Sequence, residues 1–283
     1  MMKEVRLYLN NAGFCYAKES HAIKGGSDTD IKFSALYGLI YHEQQGWILF
    51  DTGYTERFYT ATKFFPDKIY ALLTKVSIDP YQEVKEQIKN FGLKCSDIKH
   101  IIISHFHADH IGGLKDFENA VFYCSRKAYS QAKNINRHLG FTKGVLKSLI
   151  PVDFENRVKF IEDTGTPLRD DIFGLKFDLF KDNSILTYDL PGHAEGQIGI
   201  ELKTKAQHYF LIADACWFDK AYKDLSLPHP IVRLFFSSWK DYKETINKIH
   251  QYHQKYPDIN IVPSHCSLTT EALIPKSYDL DVL

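Results

Sequence analysis

Between positions 105 and 110 the chain reads His105-Phe106-His107-Ala108-Asp109-His110, so four groups able to bind a metal fall within six residues. The β-branched apolar run Ile101-Ile102-Ile103-Ser104 leads into this cluster, and Gly112-Gly113 leads out of it. Imidazole nitrogen and carboxylate oxygen suit zinc and other borderline divalent cations. As structure alone the cluster would be costly. It sets several polar groups where a buried strand ends, each needing a partner. The spacing therefore points to a metal site. Three later residues stand in comparable places. His193 lies in the turn Leu190-Pro191-Gly192-His193-Ala194-Glu195-Gly196, Asp214 follows the apolar run from Phe210 to Ala213, and His265 follows Ile261-Val262-Pro263-Ser264. Polar residues directly after strands are where loops carry chemistry on a rigid scaffold. With the first cluster they form a set of seven, which a two-metal centre would need.

The elements that would position these groups can be read from periodicity. Val5 to Leu9 alternates apolar with polar, Ala35 to Tyr41 is an apolar run, and Trp47-Ile48-Leu49-Phe50 leads into Asp51-Thr52-Gly53, so three strands are expected early. Tyr81, Val84, Ile88 and Phe91 recur at helical spacing, which predicts a helix from about Pro80 that ends before Gly92. Residues 125 to 180 are less regular: Arg126 to Lys133 reads as helix, while Gly140-Phe141, Gly144 and Leu149-Ile150-Pro151 punctuate an apolar, aromatic stretch. This segment is expected to be a helical and aromatic insertion within one domain spanning 1–283. Strand patterns resume at Ile185 to Leu190, Ile198 to Leu202 and Tyr209 to Ala213. Ser238-Trp239-Lys240-Asp241 resembles a capping box that opens a last long helix, with Trp239, Tyr242, Ile246 and Ile249 on its apolar face. Pro257 closes that helix, and Ile259 to Pro263 reads as a final strand. The order fits an α/β protein with two β-sheets packed together and helices outside, better than a doubly wound parallel sheet.

Composition narrows the function classes. A chain of 283 residues with 44% hydrophobic and 14% aromatic content can bury a sizeable core. Lys plus Arg and Asp plus Glu both number 35, and this balance lends no support to a nucleic-acid or anionic-membrane partner. The five cysteines, Cys15, Cys95, Cys124, Cys216 and Cys266, are odd in number and scattered, and read as reduced thiols. Apolar runs are too short to span a bilayer, and the N-terminus lacks a secretory h-region, so a cytoplasmic location is expected.

The HxHxDH pattern with its downstream His193, Asp214 and His265 resembles the metallo-β-lactamase superfamily of hydrolases, and the likeness extends from Asp51 to His265. The resemblance implies a four-layer αβ/βα sandwich with a metal site at one edge of its two mixed sheets. It implies that His105, His107 and His193 bind one metal, that Asp109, His110 and His265 bind a second, and that Asp214 bridges both. Asp51, in Phe50-Asp51-Thr52-Gly53, resembles the buried acid that orients a ligand histidine. Two Zn²⁺ per chain are expected, with Fe, Mn or Co as other occupants. A hydroxide held between two metals is a nucleophile at neutral pH, one metal polarising a carbonyl or phosphoryl oxygen while the other steadies the leaving oxygen. Asp109 could also pass a proton to the leaving group. Cys216 and Cys266 lie close to this set in sequence and read as small buried hydrophobes. His250 and His253 read as surface positions on the last helix, and His208, beside a strand start, as unremarkable.

Within the superfamily the chain is most similar to the N-acyl homoserine lactonases, in which water opens the lactone ring of a bacterial signal. Asp214 disfavours the β-lactamase branch. The interval from Asp214 to His265 is too short for the inserted domain of nucleic-acid-processing members. The short stretch after His265 is expected to hold neither the helical C-terminal domain of the glyoxalase II branch nor the flavodoxin-like extension of the di-iron flavoproteins, so the chain resembles those branches less. An acyl chain needs an apolar pocket, for which Phe64-Phe65, Phe141, Phe173, Phe235-Phe236 and Trp239 are candidates. One departure stands out: lactonases of this branch carry a tyrosine three residues after the bridging Asp, and here that position is Trp217. Indole donates one hydrogen bond but is not an acid as phenol is. His138, Tyr37 or Tyr222 could replace the missing hydroxyl, His138 and His229 could line a pocket, or the metal alone polarises the carbonyl. The expected partner is a small lactone or ester, and the chain a monomer or homodimer. A different metallohydrolase acting on a thioester, another ester or a phosphodiester stays open, as does a non-hydrolytic binder or an iron redox protein.

Overall fold

The computed structural model describes residues 2–136 and 140–274. Its strands are β1 (Arg6–Lys18), β2 (Asp30–His42), β3 (Gly46–Phe50), β4 (Lys75–Ser77), β5 (Ile98–Ile102), β6 (Val121–Cys124), β7 (Val158–Phe160), β8 (Thr166–Asp170), β9 (Gly174–Asp178), β10 (Ile185–Asp189), β11 (Ile198–Lys203), β12 (His208–Ala213) and β13 (Asn260–Pro263). They form two mixed sheets, ordered β4-β1-β2-β3-β5-β6-β7 and β13-β12-β11-β10-β9-β8. In the first, β1, β2 and β3 pair antiparallel and β3, β5, β6 and β7 pair parallel. In the second, β12 and β13 are the parallel pair.

Side-chain alternation along the strands builds the layers, because successive residues point to opposite faces. Ile48, Phe50 and Ile102 point inward and meet Ile200, Leu202, Leu211 and Val262 of the other sheet. Leu49 and Ile101, one residue out of phase, point to the outer face and pack beneath Phe58, Val84, Ile88 and Phe122. On the far side, Leu186, Tyr188, Phe210 and Ile212 pack against Tyr242, Ile246 and Ile249 of the helix Trp239–Lys255. The result is helix, sheet, sheet, helix: the αβ/βα sandwich. The Ser238 hydroxyl accepts from the Asp241 N–H and caps the long helix as its sequence foretold. No helix among the described residues is long and apolar enough to cross a membrane.

Two expectations need correction. The helix from Pro80 is instead three short pieces, Pro80–Gln82, Val84–Gln87 and Ile88–Phe91. The Asp79 side chain accepts from the Tyr81 N–H and closes a tight turn, leaving Tyr81 81% exposed. Glu83 is then extended (φ −66°, ψ 148°), and its buried carboxylate accepts from the Glu56 N–H at 2.8 Å and meets Lys85 at 2.7 Å. Gly92 does end the last piece, at φ 70°. The stretch 125–180 is not one helical block either. The helix Arg126–Asn134 forms, but β7 extends the first sheet and β8 and β9 complete the second. These strands are three to five residues long, too short for their period to stand out in sequence. The helices Arg57–Ala61 and Lys68–Leu73, which the sequence did not announce, lie between β3 and β4.

Candidate metal centre

The site sits where strands of both sheets end side by side. β3 delivers Asp51 and its parallel neighbour β5 delivers the His105–His110 cluster; β10 leads to His193, β12 to Asp214 and β13 to His265. Backbone bonds stitch the loops together: Thr52 N–H to His110 C=O at 2.8 Å, Ile198 N–H to Ser104 C=O at 3.0 Å, and Ser264 N–H to Ala213 C=O at 3.0 Å. Asp51 (φ 59°) and Ala213 (φ 48°) hold left-handed backbone, a conformation that costs free energy for non-glycine residues and collects at functional sites. Gly192 (φ 128°) brings its backbone so close to Tyr242 that a Cβ would lie 2.2 Å from that residue's nitrogen, and so sets His193 against the helix start.

All seven candidate ligands come together. Their donor atoms form two groups, His105/His107/His193/Asp214 and Asp109/His110/Asp214/His265, each with its atoms within 4.8 Å of one another and with Asp214 common to both. His265 Nε2 is 2.9 Å and His193 Nε2 3.2 Å from Asp214 Oδ2, while His110 Nε2 is 3.3 Å from Asp214 Oδ1. Asp109 Oδ2 lies 3.5 Å from both His110 and His265. The far nitrogens are held from behind. His110 Nδ1 meets Asp51 Oδ2 at 2.7 Å, His265 Nδ1 donates to the Ser34 C=O at 2.8 Å, and His105 Nδ1 meets the Ser104 hydroxyl at 3.0 Å. Such anchoring fixes the tautomer and turns Nε2 inward. His105 Nε2 faces inward, buried and without a hydrogen-bond partner, and His110 Nε2 and Asp214 Oδ1, though 3.3 Å apart, form no aligned hydrogen bond. Buried polar atoms without partners are rare because desolvation leaves them uncompensated. Imidazoles and carboxylates converging with such atoms fit divalent cations at both groups.

On the protein's own charges, burial and then the neighbouring His110 and His107 hold His105 well below the usual histidine range. Burial and His193 do the same for His107. Both are thereby kept neutral, as metal ligation requires. Burial works the other way on Asp214, yet His265 and His110 outweigh it and keep this carboxyl well below its usual range, ionised.

Asp109, Asp214 and the histidines His107, His193 and His265 floor a cavity of about 480 Å³. Trp217 and Phe141 line it, as do Phe235, Leu72 and Leu73 nearer solvent. Trp217 packs as wall, with ring centroids 5.6 Å from Phe33, 5.9 Å from His193 and 5.3 Å from Phe236. The structure corrects several pocket candidates. Tyr222 is buried behind the second sheet, its hydroxyl donating to the Ile261 C=O at 3.4 Å, because the helix Asp219–Lys223 packs that face against the long helix. Tyr37 points to the opposite side of the first sheet, where its hydroxyl donates to Gln87 at 3.1 Å. His229 is exposed and accepts from the Ile231 N–H. Phe64 and Phe65 are mostly exposed and stand away from the cavity, and Phe173 packs on Tyr188 and Phe210. His138 lies outside the described residues. His208 pairs with Glu201 at 2.8 Å, and His250 Nδ1 meets the Tyr222 C=O at 2.7 Å. Cys216 and Cys266 are buried and belong to neither donor group.

Sequence reasoning missed several supporting residues. The Ser104 N–H and hydroxyl both donate to Asp51, at 2.8 and 2.7 Å. Its place directly before the cluster was the available signal. Gly144 (φ 66°) lies against His107 so closely that a Cβ would come within 2.7 Å of the ring. Tyr54 and Tyr70 also line the cavity, and nothing in their spacing announced it.

Comparison with known proteins agrees with this architecture. The sequence pattern of the Metallo-beta-lactamase superfamily matches residues 32–265. The chain is 26% identical over 270 residues to the N-acyl homoserine lactonase AttM of Rhizobium radiobacter, covering 93% of this chain and 94% of the relative. It is 24% identical over 190 residues to the probable metallo-hydrolase Rv2300c of Mycobacterium tuberculosis, covering 63% of this chain and 58% of the relative. Among solved structures, an N-acyl homoserine lactone hydrolase with the product N-hexanoyl-L-homoserine bound at its catalytic metal centre superposes with a TM-score of 0.73 at 20% identity, over 96% of this chain and 97% of the other. The dizinc quorum-quenching lactonase AidC gives 0.64 at 15% identity, over 94% and 89%. On the match from residue 32 to residue 265, the chain belongs to the metallo-beta-lactamase superfamily.

Proposed function

We propose that the protein is a dinuclear metal-dependent hydrolase that opens the lactone ring of N-acyl homoserine lactones. The observation that carries this reading is the pair of donor groups sharing Asp214 at the floor of a largely apolar cavity, in a chain resembling such lactonases over nearly its full length. His105, His107 and His193 would hold one ion, Asp109, His110 and His265 the other, and Asp214 both. Bound divalent ions, zinc being the natural occupant of such a donor set, supply Lewis acidity and make water a nucleophile near neutral pH. Iron, manganese and cobalt suit the same groups.

The protein's own part is to orient and to move a proton. The acyl chain lies along Leu72, Leu73, Phe141 and Phe235, and the lactone carbonyl points at the floor. Water oxygen bonds to the carbonyl carbon, the ring C–O bond breaks, and one water proton passes through Asp109 to the departing alkoxide. The products are one hydroxy acid and no leaving fragment. We take residues 1–283 as one cytoplasmic domain acting on a small molecule.

The test is a panel of acyl homoserine lactones of increasing chain length, given to the zinc-loaded protein and followed by ring-opening acidification, with metal content measured in parallel. Turnover with two ions per chain is expected. Silence across the whole panel would sink the lactonase reading. Trp217 gives weight to a second reading, hydrolysis of a thioester, another ester or a phosphodiester, for which the same protein is tested on those substrate classes.

A further inference from the structure

Exposed apolar side chains are not scattered evenly over this molecule. Of the fourteen large ones that stand exposed among the described residues, nine lie in two short segments, 59–73 and 225–235. Single exposed apolar residues are ordinary, whereas a cluster of them marks a surface that meets something else. Phe64, Phe65, Leu72, Leu73 and Leu234 are each between 64 and 73% exposed. Both segments reach one opening, because Leu72, Leu73 and Phe235 line the cavity above the metal centre. Between them lies the turn Phe141–Lys143, which touches the helix Lys68–Leu73 on one side. On the other side Lys143 Nζ donates to the Phe236 C=O at 2.8 Å and to the Leu234 C=O at 3.4 Å. The helix is roughly 9 Å long. Phe64 and Phe65 stand just before it, and the Phe64 C=O accepts from the Lys68 N–H at 2.9 Å. Tyr70 packs edge-on against Phe58, with ring centroids 5.4 Å apart, while Leu72 and Leu73 stay in water.

The charges along this rim are of one sign. Residues 59–75 carry Lys63, Lys68 and Lys75 against the single acid Asp67, and residues 225–235 carry Arg233 and no acid. All four cations are exposed. The even charge of the whole chain conceals this local excess. Lys63 and Lys68 stand over the rings of Phe64 and Phe65, at 5.3 and 5.7 Å, and Arg233 stands over Trp239 at 4.8 Å. Asp30, also in the cavity wall, is held by Lys18 at 3.1 Å and does not offset the excess. We propose that this rim seats the protein on an anionic membrane surface, its phenylalanine and leucine side chains in the lipid and its four cations at the phosphates, so that an acyl-tailed substrate passes from lipid into the cavity. The occupant follows from the patch. Its apolar part calls for an apolar cover and its bordering cations for closely spaced anions, and an anionic bilayer offers both in one plane. Lysine stems lie along apolar surface while their heads reach the phosphates. Leu72, Leu73 and Phe235 belong to rim and cavity alike, so a tail entering there need not cross water. Two further methylenes on an acyl chain favour lipid over water by roughly tenfold, so longer-tailed substrates collect in the bilayer. The uptake of such a substrate rests on the lactonase reading above; the docking does not.

The test is flotation of the metal-loaded full chain with vesicles of phosphatidylglycerol and phosphatidylcholine in equal parts, and with vesicles of phosphatidylcholine alone. The wild type should float with the anionic vesicles, less so as salt is raised, and weakly with the neutral ones. The double variant Lys63→Gln/Lys68→Gln should lose about fivefold in affinity for each charge removed, or about twenty-fivefold together. Phe64→Ser/Phe65→Ser should lose about tenfold or more on the same vesicles. All four positions are exposed, and none belongs to the metal centre or to the acyl path. Both double variants should therefore match the wild type within about twofold on N-butanoyl homoserine lactone in buffer. On N-dodecanoyl homoserine lactone carried in the anionic vesicles, they should fall behind it by about tenfold. A wild type that does not float with anionic vesicles, or flotation that both double variants keep, overturns the proposal. So does a wild-type dimer in sedimentation velocity that Phe64→Ser/Phe65→Ser splits, which gives the rim to a second copy of the chain. If the wild type opens no lactone, the lactonase reading fails separately, and flotation alone decides the docking.

Discussion

The Asp51 carboxylate takes both donors of Ser104 and meets His110 Nδ1 at 2.7 Å, so that one buried acid positions two neighbours of the centre without joining either donor group. Burial raises its pKa, while the charge of His110 and its hydrogen bonds work against that rise. Asp51→Asn keeps the shape but weakens the hold on His110, and supporting partners of this kind are worth roughly 10–100-fold in metal affinity. Competition with a chelator of known affinity should show that loss while the far-ultraviolet spectrum is unchanged; wild-type affinity would show that Asp51 is only packing. At this scale the sequence was most readable. Ligand types, strand-end contexts and Asp51 itself were legible because they lie in short local patterns. Tyr222 and Tyr37 misled because sequence distance from Asp214, or a position in a strand, does not reveal which way a side chain points.

Among elements, Glu201 of β11 ties together several neighbours. Tyr188 of β10 donates to it, His208 of β12 pairs with it at 2.8 Å, and Tyr252 of the long helix lines the same recess. Burial pushes its pKa up, but the hydrogen bonds of His208 and Tyr188 outweigh that and leave it below the usual glutamate value of 4.5. A carboxyl depressed in the folded state contributes stability that is present above its unfolded pKa and lost as pH falls through the folded one. Glu201→Gln should therefore be less stable than the wild type at neutral pH, and the gap should close below about pH 4.5. Chemical denaturation at pH 7 and pH 3.5 checks this; a gap that is constant with pH would count against an ionic role. The elements themselves were legible where they are long, as with β10 to β13 and the capped helix from Ser238. The broken helix from Pro80 was not, because Glu83 extends to meet Glu56 and Lys85, and Glu56 is far away in sequence.

For the molecule as a whole, the candidate ligands come from both halves of the sandwich. His105, His107, Asp109 and His110 follow a strand of the first sheet; His193, Asp214 and His265 follow strands of the second. Ions held between them would staple the two sheets at one edge. A cation that binds only the native state stabilises it by roughly 4 kcal/mol at a thousand times its dissociation constant. For a protein of this size that shifts the midpoint by about 7 °C. Thermal unfolding should therefore fall by that order after chelation and recover when zinc is restored. An unchanged midpoint, with metal loss verified, would argue that the site is not bridged in this way.

The sequence by itself determined the donor types, their order along the chain and the alternation that splits each strand between two faces, since these are properties of neighbouring residues. It carried enough of this pattern for the superfamily and the two-sheet sandwich to be read from it. Only the tertiary structure decided that Trp217 stands as wall between Phe33 and Phe236, that Tyr37 and Tyr222 turn away from the cavity, and that Tyr54 and Tyr70 line it. Those relations depend on where separate strand ends and loops converge. Long-range packing sets that convergence, and no local periodicity records it.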